Sequence, residues 1–161
     1  FWNYMLLDLP GIKRLTAATI NNRHLARKEE IERTIQLIKQ SCTDTSIPKF
    51  VYGHFILPHD PYSFDAAGNV KMVTENDLAP KNNTEEATMY LEQLQYANRI
   101  INDLVLHIQK RNKSNTVIIV AGDHGYKYFQ QTQAAYSFSN LHAVYFPAGK
   151  EPMLTLSLIH I

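Results

Sequence analysis

The sequence predicts an α/β fold with a mostly parallel sheet flanked by helices. Three segments predict it: an aromatic and β-branched run at residues 49–57, a long amphipathic helix at about residues 84–110, and a short apolar run at residues 116–121. A strand, a helix and a second buried strand make a βαβ crossover, which joins parallel strands. Because residues 49–57 are largely apolar on both faces, we expect helices to cover both sides of the sheet.

The amino-acid composition is that of a globular protein and excludes several other classes of protein. The 161 residues are enough for one domain or for a piece of a larger one. Hydrophobic residues make up 45% and charged residues 19%, which excludes a disordered tail and a disulfide scaffold. Sixteen basic and fifteen acidic residues leave a formal net charge of only +1, so we expect no nucleic-acid partner. The single cysteine, Cys42, cannot form an internal disulfide.

A first helix is predicted over residues 22–41, with Asn21 or Asn22 as its cap. We expect His24 to be a solvated residue of this helix. The buried stripe of this helix is predicted from apolar residues at near-helical spacing, which are Leu25, Ile31, Ile35 and Ile38.

The second helix, at about residues 84–110, has the clearer periodicity, and Asn83 with Glu86 resembles a capping box at its start. Between the helices, residues 58–83 are rich in proline, asparagine and aspartate. This pattern predicts an ordered but irregular excursion with a hairpin turn at residues 64–70. A last strand is predicted at about residues 141–146.

Two polar clusters follow the predicted strands. Asp123 and His124 come just after the run that ends at Ala121, and His59 comes just after the run that ends at Leu57. In open parallel sheets, ligands bind outside the carboxyl ends of the strands. The predicted topology therefore brings both clusters to one rim.

Asp123 and His124 supply a carboxylate oxygen and an imidazole nitrogen, and we expect the flanking glycines to let both side chains approach one ion. This mixed donor set suits zinc or manganese better than calcium. A divalent cation normally needs at least three protein ligands, so the pair alone does not make a site. The alternative is that Asp123 caps a turn and His124 lies idle on the surface.

His59 lies between two prolines that restrict its backbone. Such a histidine can bind an anionic oxygen, donate a proton to a leaving group or complete a metal site; the alternative is a locally hydrogen-bonded loop residue. His54 lies within the predicted strand, where a core histidine is the simpler interpretation. Asp60 and Asp65 can orient a histidine, but for Asp65 the turn interpretation is preferred.

The segments Val117–Gly125 (Val-Ile-Ile-Val-Ala-Gly-Asp-His-Gly) and His54–Tyr62 (His-Phe-Ile-Leu-Pro-His-Asp-Pro-Tyr) resemble the alkaline phosphatase superfamily. The likeness is to its sulfatase-like membrane branch, with lipoteichoic acid synthase-type and phosphoethanolamine transferase-type enzymes. The order of elements also agrees, over roughly residues 50–147.

This resemblance implies a partial alkaline phosphatase-like fold and a metal-dependent enzyme acting on sulfate or phosphate esters, as a hydrolase or a phosphotransferase. It places Asp123 and His124 in the shell of a divalent metal ion, zinc or manganese. It places His59 on the substrate side, with His54 as a second substrate or metal histidine that matches less closely.

In the family a threonine or serine near the start of the domain attacks phosphorus or sulfur, and an upstream acidic residue completes the metal shell. Nothing in residues 1–57 resembles the strand that carries this nucleophile in the family. Thr16 and Thr19 lie in an alanine-rich segment without an acidic partner. The nucleophile is therefore unknown, and we expect the 161-residue chain alone to be inactive.

The resemblance divides the chain into a helical lead-in (residues 1–48), the C-terminal part of a sulfatase-like catalytic domain (49–150) and a tail (151–161). The last six residues resemble the translation of a sequencing adapter, with a native terminal strand as the alternative. Enzymes of this branch are anchored by N-terminal transmembrane helices. We therefore expect a membrane-anchored parent protein whose catalytic domain lies outside the cytoplasm.

Two alternative functions remain at the level of the sequence. A calcineurin-like metallophosphoesterase also has a metal motif at a strand end, but it requires further Asp-x-His and Gly-Asp motifs that we do not find at suitable positions. In the other alternative, the chain is a non-catalytic α/β module whose histidines are structural and whose charged helix faces bind a partner.

Overall fold

A computed structural model describes residues 10–43, 46–79, 81–111, 115–126 and 140–147. The elements, in order, are helix α1 (Pro10–Ser41), a 3-10 helix (Glu75–Leu78), helix α2 (Asn83–Arg111), strand β1 (Ile118–Ala121) and strand β2 (His142–Tyr145). The chain divides into two compact units, Phe1–Leu104 and Val105–Ile161.

Helix α1 begins twelve residues before its predicted start, at Pro10. Proline is favoured at a first helical position because its fixed φ suits the helix and its missing N–H is not needed there. The predicted cap residues therefore lie inside the helix. The Asn21 side chain instead donates to the Val73 carbonyl at 3.0 Å and accepts from the Val73 amide at 2.7 Å, so it pairs with a distant backbone segment.

The buried face of α1 includes Ile31, Ile35 and Ile38 of the predicted stripe, of which Ile35 and Ile38 are partly buried. Ala17, His24 and Ile31 are buried and recur every seven residues, whereas Leu25 is 44% exposed. The prediction of a solvated His24 is wrong, because its Nδ1 lies 2.9 Å from the carbonyl oxygen of Lys71. The irregular excursion covers the helix face on which His24 lies.

Helix α2 matches its predicted span closely, but its cap lies one residue earlier than predicted. The Asn82 carboxamide oxygen accepts from the amides of Thr84 and Glu85, both at 3.0 Å. The Glu85 carboxylate in turn accepts from the Asn82 amide at 2.9 Å. The capping box is thus formed by Asn82 and Glu85.

The core of the first unit lies where α1 and α2 pack against the excursion that joins them. The Phe64 ring is fully buried, and its centroid lies 5.2 Å from that of Tyr96. The buried cluster comprises Ile31, Phe64, Tyr96, Ile100 and Leu104, and the partly buried residues packed on it are Ile35, Ile38, Phe55, Leu57 and Val70.

The predicted hairpin turn is confirmed. Phe64 and Val70 form an antiparallel bridge, and Gly68 has a φ of 81°, which glycine adopts without steric cost. The two oxygens of the Asp65 carboxylate accept from the backbone amide of Asn69 at 2.8 Å and from its side-chain amide at 2.9 Å. The turn interpretation of Asp65 is therefore correct.

This turn should weaken in acid. Hydrogen bonds, chiefly from the Asn69 side chain, hold the pKa of Asp65 below its usual value. Because the folded pKa lies below the unfolded value of about 3.9, the carboxylate contributes stability above that pH and loses it as the pH falls through the folded pKa. We expect the stability difference between wild type and Asp65→Asn to shrink from about pH 5 downward, measured by urea unfolding across pH. Asp103→Asn, on α2, is the control, and a constant difference for Asp65→Asn would contradict the prediction.

The prediction of a strand at residues 49–57 is wrong, because the described backbone there is extended without ladder pairing. Phe50 is 92% exposed and Tyr52 75% exposed. A run that is apolar on both faces becomes a strand only where neighbouring backbone pairs with it. Within the described residues its contribution to packing comes from Phe55 and Leu57, which lie against the core.

The second unit contains β1 and β2, which pair antiparallel with Ile118 opposite Tyr145 and Ala121 opposite His142. Both predicted strands are present near their expected positions, but β1 is not buried in the described residues, since Ile119 is 65% exposed. The predicted parallel sheet is not confirmed, because the βαβ argument depended on a first strand at residues 49–57.

In the described part of the chain, no helix carries an apolar stretch long enough to cross a lipid bilayer. The predicted tail at residues 151–161 lies outside the described residues, as do the first nine residues.

Candidate functional site

The segment that carries Asp123 and His124 leaves the carboxyl end of β1 in the second unit. The Gly122 amide donates to the carbonyl of Leu141 at 2.8 Å, and the Asn140 side chain donates to the carbonyl of Gly122 at 2.7 Å. These two bonds hold the start of the segment against the residues that precede β2. Gly122 lies outside the left-handed region, and the backbone bends at Asp123.

Asp123 and His124 bond to the local backbone and lie close to each other. The Asp123 carboxylate accepts from the His124 amide at 2.9 Å, and His124 Nδ1 lies 2.6 Å from the carbonyl oxygen of Gly125. Because a carbonyl can only accept, Nδ1 carries the proton and the lone pair of a neutral imidazole is on Nε2. His124 Nε2 lies 3.8 Å from the other Asp123 oxygen.

This arrangement fits two ligands of one divalent cation. Oxygen and nitrogen atoms 3.8 Å apart can both reach an ion at the usual bond length of about 2.1 Å. A metal-binding histidine typically donates its other ring N–H to a carbonyl or carboxylate, as His124 does to Gly125. No group of three or more histidine, cysteine or acidic side chains suited to a metal occurs within the described ranges. The pair can therefore supply at most two of the ligands that such an ion needs.

His59 lies in the first unit, on the loop that follows residues 49–57. Its Nδ1 is 2.6 Å from the carbonyl oxygen of Asp60 and 2.9 Å from an oxygen of the Asp60 carboxylate. Both neighbours accept hydrogen bonds, so the neutral imidazole has its proton on Nδ1 and its lone pair on Nε2. Asp60 thus lies where it can orient the His59 ring, which is one of the two roles, orienting carboxylate or turn residue, that the sequence suggests for it.

Two long polar side chains, which the sequence interpretation did not single out, hold the His59 loop. Arg27 on α1 donates to the carbonyls of Ile56, His59 and Pro61, with distances of 3.0 Å to His59 and 2.8 Å to Pro61. Partial burial lowers the pKa of Arg27, although Asp60 and Glu30 oppose the shift. Gln93 on α2 is fully buried and also bonds this loop.

His54 is exposed, and its ring centroid lies 6.2 Å from that of Tyr52. The core interpretation of His54 is wrong, because residues 49–57 do not form the strand whose face would have buried it. His54 and His59 thus belong to the first unit, and Asp123 and His124 to the second.

Comparison with protein families identifies the chain. A family model described as Sulfatase matches residues 16–161. The chain belongs to the sulfatase family. It is therefore an α/β protein of a hydrolase-type enzyme family whose members generally use metal ions. No match was found among curated proteins or among solved structures.

Membership of the sulfatase family confirms the superfamily resemblance, while the membrane branch within it stays a prediction. The match begins inside α1, so residues 16–41 of that helix belong to the matched region. The two clusters of this sulfatase-family chain offer different chemistry. The Asp123 and His124 pair offers metal-ligand atoms, and His59 offers an imidazole nitrogen to an anionic oxygen.

Proposed function

We propose that the chain forms part of the catalytic domain of a divalent-metal-dependent sulfatase-like hydrolase or phosphotransferase acting on sulfate or phosphate esters. The observation that carries the proposal is the Asp123–His124 pair, in which the carbonyl of Gly125 engages His124 Nδ1 and leaves the Nε2 lone pair near a carboxylate oxygen. Family membership supplies the reaction class.

Asp123 and His124 are the proposed metal ligands, and zinc or manganese is the proposed ion because the donor set mixes oxygen and nitrogen. A bound ion of this kind polarises an ester oxygen and stabilises the charge that develops on it. Further ligands are needed from outside the pair, since a divalent ion takes at least three protein ligands in most catalytic sites.

His59 is the proposed substrate-side residue, with His54 as a second candidate. Asp60 engages His59 Nδ1, and an oriented imidazole of this kind can bind an anionic ester oxygen or pass a proton to a leaving group through Nε2. For His54 the support is its exposure and its position five residues before His59.

We further propose that the catalytic domain contains a mostly parallel sheet flanked by helices. The support is family membership, which implies an α/β fold, together with the exposed apolar side chains of the extended run at residues 49–57, such as Phe50 and Val51.

The likeness of the segments His54–Tyr62 and Val117–Gly125 to the lipoteichoic acid synthase-type and phosphoethanolamine transferase-type enzymes supports a membrane-anchored parent protein. In this proposal the catalytic domain lies outside the cytoplasm.

Metal binding tests the proposed function, and it does not depend on the unidentified nucleophile. When Mn²⁺ is added to the isotopically labelled chain, the amide signals of Asp123 to Gly125 should broaden before others in the NMR spectrum. In the double variant Asp123→Ala plus His124→Ala, we expect the affinity measured by this broadening to fall more than about tenfold.

The matched control is Asp103→Ala plus His107→Ala, which removes the same two residue types from α2 and should keep the selective broadening. Equal broadening in wild type and in the Asp123 and His124 double variant would exclude this pair as metal ligands. Zinc titration, followed by the imidazole signals of His124, provides an independent measurement with a diamagnetic ion.

A further inference from the structure

Gln93 is an uncharged polar residue whose side chain is fully buried on α2, and both ends of its carboxamide are hydrogen-bonded. Its Nε2 donates to the carbonyl of Pro58 at 3.1 Å and to that of His59 at 2.8 Å. Its Oε1 accepts from the amides of Ser63 at 2.8 Å and Phe64 at 3.3 Å. These four bonds use the full capacity of the amide, which has two donor hydrogens and two acceptor lone pairs.

The four bonds bracket His59. Two of them reach the backbone at and before His59, and two reach the backbone after it, at Ser63 and Phe64. The carbonyl of His59 also accepts from Arg27, so it receives one donor from each long helix. The backbone that carries the imidazole is therefore fixed from two directions.

An apolar residue would satisfy the packing at this position more simply, because Gln93 shares its helix face with Ala97, Ile100 and Leu104. Burying a carboxamide is unfavourable unless its hydrogen bonds are made. Here the bonds go to a loop that would otherwise have unpaired backbone groups beside the core. The arrangement thus stabilises one conformation of the His59 loop.

We propose that Gln93 is a positioning residue for His59, acting through the His59 backbone and without touching substrate. The inference rests on the proposed function, in which His59 lies on the substrate side. Holding the carbonyl of His59 keeps its imidazole beside Asp60, with the proton on Nδ1 and the lone pair on Nε2. A histidine that binds an anionic oxygen gains from such fixed geometry, because no ordering remains to be done on binding.

The substitution Gln93→Glu tests this in the full chain. A glutamate keeps an oxygen that accepts from Ser63 and Phe64, but it places a second oxygen against the carbonyls of Pro58 and His59. With histidine side chains labelled, we expect His59 to lose the NMR signature of the Nδ1–H tautomer, while His107 keeps its wild-type spectrum. Amide exchange at Ser63 should stay near wild type. Gln95→Glu, an exposed position on the same helix, is the charge-matched control.

Gln93→Met supplies a second variant without a buried charge, in case the glutamate variant does not fold. It removes all four bonds, so the His59 signature should again be lost and exchange at Ser63 should rise about tenfold, the equivalent of one hydrogen bond. A folded variant of either kind in which the His59 signals match wild type would overturn the positioning role.

Titration with inorganic sulfate and phosphate distinguishes a failure of this inference from a failure of the proposed function. If neither anion shifts the His59 signals of wild type, the substrate-side role of His59 is contradicted, whereas the effect of Gln93 on the tautomer is measured without any ligand. If the anions shift wild type but bind Gln93→Met more weakly, both the substrate-side role and the positioning role are supported.

Discussion

Replacing Phe64 with alanine should lower the free energy of unfolding by about 3–5 kcal/mol, the usual cost of removing a buried aromatic ring. The ring is completely buried in the cluster that joins α1, α2 and the excursion between them. Its removal leaves a cavity and eliminates the contact with Tyr96, whose ring centroid lies 5.2 Å away. Urea unfolding followed by circular dichroism measures the change.

Phe50→Ala is the matched control, because it removes the same ring from a side chain that is 92% exposed. We expect its effect to stay within about 0.5 kcal/mol, as for most surface substitutions. Comparable losses in the two variants would contradict the location of the core around Phe64. A small effect for Phe64→Ala alone would show that the first unit does not depend on this cluster.

Gly68→Ala should destabilise the first unit by about 2–4 kcal/mol, by combining backbone strain with overpacking. The φ of 81° is unfavourable for alanine, and an added Cβ would lie 2.6 Å from Cδ2 of Tyr96. Tyr96 cannot move freely, because Lys28 donates to its hydroxyl at 3.0 Å and to the carbonyl of Gly68 at 2.9 Å. Thermal and urea unfolding both measure the loss.

The control is Gly11→Ala in the first turn of α1, where an added Cβ meets nothing within 4 Å. Since alanine favours helix over glycine by up to about 1 kcal/mol, this variant should be neutral or slightly more stable. If Gly68→Ala behaved like Gly11→Ala, the close approach of Tyr96 to the hairpin turn would be wrong.

Several elements could be predicted because their signals are local. The span of α2 follows from its 3.6-residue periodicity, and the turn at residues 64–70 follows from the Asp-Ala-Ala-Gly-Asn sequence. β1 follows from a short apolar run between turn residues. The Asp123–His124 pair could be singled out for the same reason, since it directly follows that run.

Other features were missed because their partners lie far away along the chain. A glutamine on a helix is usually solvated, and the burial of Gln93 depends on contact with residues 58–64. The one sequence signal for its burial is its spacing of four and seven residues from the core residues Ala97 and Ile100. His24 is buried by a backbone segment 47 residues later. The prediction of a strand at residues 49–57 was wrong for the converse reason, because no other backbone segment among the described residues pairs with it.

The sequence by itself determined the span of α2, the hairpin turn, the candidate ligand pair and the family resemblance, because periodicity, turn residues and motifs are properties of contiguous residues. Only the tertiary structure decided which polar groups are buried and what they bond. Arg27 and Gln93 are the clearest cases, since each reaches the carbonyl of His59 from a different helix. Burial of a polar side chain is favourable only where its partners converge, and that convergence depends on packing between segments distant in sequence.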